Sequence, residues 1–110
     1  MWTFTLTNTS TGKTFTMTVP YSSSEDTVEW ITETPLVIGG GGTGIAAMPN
    51  LGKVVFDLGL VNGANPHLIA GEAIRLVTGG QVVAIPSAPD SDTDGFGDCV
   101  WATSCSAPGS

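Results

Sequence analysis

The run Asp90-Ser91-Asp92-Thr93-Asp94-Gly95-Phe96-Gly97-Asp98 carries the sharpest chemical pattern in the sequence. Carboxylates at alternate positions followed by glycine match the first half of a calcium loop, with hard oxygen ligands at positions one, three and five. In that register Asp90, Asp92 and Asp94 offer side-chain oxygens, Phe96 its carbonyl, and Asp98 a ligand at position nine. Position twelve falls on Trp101, so the bidentate glutamate of an EF-hand is missing. The spacing predicts Ca2+; an Asp/Gly-rich turn without metal is the plainer alternative. Mutual repulsion among these carboxylates favours a bound cation at neutral pH and removes the reason for one in strong acid. Two further sets of residues could do chemistry. Glu29 and Glu33 lie in Thr27-Val28-Glu29-Trp30-Ile31-Thr32-Glu33-Thr34-Pro35. Cys99 and Cys105, the only cysteines, can close a small disulfide loop, or stay as thiols in a reducing compartment. His67 stands alone, so a zinc site is not expected. No Ser-His-Asp or Cys-His spacing suggests nucleophilic catalysis.

The elements that would position these groups are strands. Trp2, Phe4 and Leu6 alternate with Thr3, Thr5 and Thr7, and Phe15, Met17 and Val19 with Thr14, Thr16 and Thr18. Period-two alternation of this kind predicts half-buried strands, and Asn8-Thr9-Ser10-Thr11-Gly12 between them predicts a hairpin with a threonine ladder on its polar side. A third strand is expected over 28–33, with Glu29, Ile31 and Glu33 on one face and Val28, Trp30 and Thr32 on the other. Leu36 to Ile38 forms a short run before the Gly39-Gly40-Gly41-Gly42-Thr43-Gly44 loop. Gly52 to Val61 predicts another strand. Ala73 to Val77 and Gln81 to Ile85 predict a hairpin across Thr78-Gly79-Gly80; a helix over 66–77 is the weaker option because of Gly71 and the β-branched residues. A last strand is expected over Cys99 to Ala102. Short strands with 15 glycines and 7 prolines describe a single all-β domain over 1–110, an antiparallel β-sandwich.

The Glu-Trp-Ile-Thr-Glu element resembles the active-site strand of the glutamic peptidases (eqolisins), acid endopeptidases built as two stacked antiparallel sheets. The order of the flanking pieces is similar too. An aromatic-initiated hairpin precedes the element; a Gly-rich loop, Gly52-Lys53-Val54-Val55-Phe56 and Pro86-Ser87 follow it. The resemblance spans residues 2–88, leaving 89–110 as acidic loop and C-terminal strand. It implies a polypeptide substrate and places the catalytic glutamate on Glu33. In the family that carboxyl moves a proton to and from the attacking water while a glutamine amide stabilises the oxyanion. The family's glutamine lies N-terminal to the aromatic hairpin, and the single glutamine here, Gln81, follows Glu33. The resemblance therefore implies the C-terminal half of such a domain, holding one member of the dyad. The acidic run in turn resembles the calcium repeats of thrombospondin type 3, which share its Asp-x-Asp-x-Asp-Gly-x-Gly-Asp-x-Cys pattern, here ending at Cys99.

Composition narrows the partners. Ten acidic and three basic residues (Lys13, Lys53, Arg75) give a net charge of −7, which argues against nucleic acid and anionic membrane surfaces. Hydrophobic content of 41% excludes a disordered chain. No apolar run approaches the roughly 20 residues that span a bilayer, and no signal peptide is expected at the N-terminus. With so few cations the chain would escape much of the repulsion that drives acid denaturation. The expected location is extracellular. A half-sandwich leaves open strand edges and an uncovered apolar face, so self-association or a complementary β half is expected. The alternative to an acid endopeptidase half is a non-catalytic, calcium-binding, self-associating structural β-domain. The two activities pull apart, since calcium needs ionised aspartates and eqolisin chemistry runs in acid.

Overall fold

The computed structural model describes residues 1–109. The fold is all-β and antiparallel, as the alternation implies: β1 (Trp2–Asn8), β2 (Lys13–Val19), β3 (Leu36–Gly39), β4 (Gly42–Ile45), β5 (Lys53–Phe56), β6 (Leu76–Thr78), β7 (Gln81–Pro89) and β8 (Phe96–Val100). β1–β2 and β3–β4 are two-stranded ribbons; the other strands form a four-stranded sheet in the order β5-β8-β7-β6.

The first hairpin follows its sequence pattern closely. Trp2 pairs with Val19, Phe4 with Met17 and Leu6 with Phe15, all on one face. The opposite face carries threonines whose hydroxyls meet across the strands, Thr7 to Thr14 at 2.9 Å and Thr3 to Thr18 at 3.2 Å. Asn8 closes the turn, its Oδ1 accepting from the Ser10 and Thr11 amides. Neither strand packs on any other named element, so Phe4 and Phe15 remain 52% and 62% exposed.

The four-stranded sheet holds the core. Met48, Val83, Ala84 and Val100 are buried, with Leu76 packed beside them. β6 turns into β7 through Gly79 and Gly80, both at positive φ, the geometry of a tight two-residue hairpin loop. β7 lies inside the sheet yet contains Pro86 and Pro89, residues that cannot donate to a ladder. The pairing of β7 with β8 shifts register between them, and the Ser87 hydroxyl accepts the Gly97 amide at 2.9 Å in place of a backbone carbonyl. Trp101 then anchors the loop before β5, its indole N–H donating to the Met48 carbonyl at 2.7 Å.

Four expectations change. Residues 28–33 alternate like a strand but belong to no strand or sheet. Alternation selects two faces, and a strand also needs a neighbour for its amides and carbonyls. The Gly-rich loop instead contains a strand pair, Leu36 opposite Ile45 and Val37 opposite Gly44. The strand expected over 52–61 stops at Phe56, because Leu58 takes a left-handed conformation (φ 59°) that breaks the extended run. The helical option over 66–77 survives only as a 3-10 turn, Ala70–Glu72.

Much of this chain's apolar surface stays in water. The accessible area is 7989 Å², against about 5,700 Å² for a compact monomer of this mass. The radius of gyration, 16.1 Å, likewise exceeds the roughly 13 Å of a close-packed domain.

Candidate functional site

A groove of about 960 Å³ is lined by the 25–33 segment, by residues of the 61–76 segment and by residues of β7 and β8. Its lining includes Glu29 and Glu33 together with Pro86, Ser87, Phe96 and Asp98. Trp30 fixes the segment from below: its indole lies over Gly59, close enough that a Cβ there would stand 3.4 Å from the ring. Glu33 is exposed on the groove wall and, among the described residues, no side-chain amide hydrogen-bonds to it. Gln81 stands exposed at the start of β7, outside the residues lining the groove. Asp98 is buried on β8, and its Oδ1 has no hydrogen-bond partner.

The acidic loop folds back on itself beside the end of β5. Asp90 Oδ1 accepts the amides of Asp94 and Gly95, both at 3.2 Å, and the Asp90 amide donates to the Gly95 carbonyl at 2.9 Å. Outer contacts clamp the loop. The Asp94 carbonyl accepts from Gly59, the Thr93 carbonyl from Leu68, and the Asp92 carbonyl from the Asn65 side chain. Thr93 pays for the tight path with φ 67°, an unusual conformation for a β-branched residue.

One carboxylate oxygen from each of Asp57, Asp90 and Asp94 lies within 4.8 Å of the other two. Asp90 and Asp94 are buried and Asp57 exposed. Of the five ligands expected from spacing, only Asp90 and Asp94 belong to this group. Asp92 is exposed and outside the group, and Asp98 and Phe96 are among the residues lining the groove. The loop therefore does not wind around one centre as an EF-hand does, because the fold supplies Asp57 from β5's end instead. Asp57 follows the last ladder pair, Phe56 with Phe96, whose rings stack at 5.1 Å. It reaches the loop only through that pairing, which no local spacing reveals.

Cys99 and Cys105 are bonded, with Cα atoms 5.6 Å apart, tying the C-terminal segment to β8. His67 is an exposed loop residue whose amide donates to Asn65 Oδ1.

The Asp94 carboxyl is pushed above its ordinary range, first by burial and then by the charges of Asp92, Asp90 and Asp57; the Leu58 amide opposes the shift. An acid whose folded pKa is raised is stabilising below the unfolded value of 3.8 and loses that contribution as pH climbs through the folded value. In chelator, the contribution of Asp94 to thermal stability is therefore expected to fall as pH rises above 3.8, and Asp94→Asn to flatten that slope. Melting curves across this pH range check it; an unchanged slope in the variant would contradict the assignment. No family model matches the chain, and no curated protein or solved structure does either.

Proposed function

We propose that this chain is the glutamate-bearing part of an acid endopeptidase of glutamic-peptidase type, whose second sheet and amide come from another β half. The carrying observation is the groove: Glu33 from the Glu-Trp-Ile-Thr-Glu element and Pro86-Ser87, widely separated in sequence, are both among its lining residues. Its volume suits an extended polypeptide. In this reading the Glu33 carboxyl takes a proton from water as that water attacks the scissile carbonyl, then returns it to the leaving amine. The oxyanion needs a donor that this chain does not bring within reach of Glu33, so the chain alone is a poor catalyst. The surface in excess of a compact monomer supports the same reading, since it is what a missing sheet would cover. An extracellular, acidic setting suits a chain with few cations.

The test is cleavage of a denatured protein in strongly acidic buffer, by the chain alone and mixed with a Gln-bearing N-terminal half of a glutamic peptidase domain. Cleavage is expected in the mixture, with Glu33→Gln lowering it by about 100-fold or more and Glu29→Gln leaving it nearly unchanged. A mixture that assembles without cleaving, or one indifferent to Glu33→Gln, would overturn the proposal and leave a non-catalytic β-module.

A further inference from the structure

We propose that Asp57, Asp90 and Asp94 form a binding site for a calcium ion that bolts the acidic loop to the end of β5. The argument starts from hydrogen-bond accounting. Asp90 is 6% exposed and Asp94 9% exposed, and a carboxylate so far from water needs donors or a cation. Asp90 Oδ1 has its donors in the loop's own amides. Asp90 Oδ2 and Asp94 Oδ1 have none, and both are sealed from solvent. One oxygen of Asp90 thus shapes the loop while the other is left for a ligand. Gly95 leaves no room for a side chain to fill the space, because a Cβ there would collide with Asp90 Oδ2.

The identity of the ion follows from the donors. All are carboxylate oxygens, with no imidazole or thiolate in the group, which selects a hard cation over zinc or copper. Calcium–oxygen distances of about 2.3–2.6 Å allow ligands on opposite sides of the ion to stand nearly 5 Å apart, a span that the 4.8 Å limit of this group fits. Asp57 is exposed, so the site opens to solvent on its side, and water can complete a coordination shell that three carboxylates leave short. Without the cation, three carboxylates crowd together, and the charges that act on Asp94 are those of Asp92, Asp90 and Asp57.

Calorimetric titration of the chelator-treated protein with CaCl2 at neutral pH tests this, alongside thermal melts. Saturable binding is expected, with Tm rising by roughly 10 °C at a hundredfold excess over Kd. Asp57→Asn is expected to weaken binding about tenfold or more; because Asp57 is exposed, the variant keeps its fold, and Asp57→Ser serves as a second substitution. Asp98→Asn, which the calcium-loop spacing alone would make a ligand variant, should bind as the native chain does. The absence of saturable binding at millimolar CaCl2 overturns the site. So does an Asp57→Asn variant that binds like the native chain, or a loss in Asp98→Asn matching that of Asp57→Asn.

Discussion

Gly95→Ala is expected to be among the most damaging single-methyl additions in this chain, lowering stability by about 3 kcal/mol and Tm by on the order of 10–20 °C. The added Cβ would meet the Asp90 carboxylate, the Phe56 carbonyl oxygen at 2.8 Å and the Asp57 Cα at 3.0 Å. Two of those are backbone atoms of the β5 end and cannot swing aside. Gly95 is not among the glycines at positive φ, so the loss measures space and not conformational strain. Gly97→Ala is the matched control. It lies two residues on, within β8, where the obstruction is the far end of the Lys53 side chain. A flexible lysine stem rotates away, and the cost should stay within about 0.5 kcal/mol. Chemical denaturation of both variants checks the contrast, and equal losses would mean the loop is not pressed against β5 as described.

The second large effect concerns the apolar face of the first hairpin. The chain alone is expected to associate through it, and Phe4→Lys with Phe15→Lys to return the protein to a single 11.2 kDa species. The area supports this: about 2,300 Å² beyond a compact monomer is exposed, while a stable interface needs roughly 800 Å² from each partner. Charge does not forbid it. Every acidic residue lies at Glu25 or beyond, and the hairpin's one ionisable side chain is Lys13 at its turn. Light scattering behind gel filtration at moderate ionic strength reads the mass directly. A native chain that stays monomeric at tens of micromolar would show that this face is left to a different partner.

How much of this was legible beforehand depended on whether the deciding contact was local. The Trp2–Val19 hairpin is written out in full because both strands and the turn are contiguous, and each residue's face follows from its parity. The hairpin across Gly79-Gly80 is legible for the same reason. Residues 28–33 show the limit: the alternation is as good as in the first hairpin, yet no neighbouring strand receives it. β4 was hidden in the opposite way, since Gly42-Thr43-Gly44-Ile45 has little strand propensity and forms only because β3 lies across the turn. At the candidate cation site, spacing along the loop identified Asp90 and Asp94. Asp57 joins them through the Phe56–Phe96 register, a relation between distant parts of the chain.

The threonine ladder and the apolar stripe of the first hairpin have a consequence for how the molecule meets a change of pH. Between Trp2 and Val19 no side chain titrates from strong acid to neutrality, so whatever seals this face is held equally at either extreme. The acidic loop is the reverse, with Asp57, Asp90 and Asp94 crowded together and the charge of Asp92 also acting on Asp94. Acidification would thus loosen a cation held at the proposed site while leaving the hairpin's apolar face unchanged. Association through the hairpin face and occupancy of the proposed cation site are therefore expected to respond separately to acid.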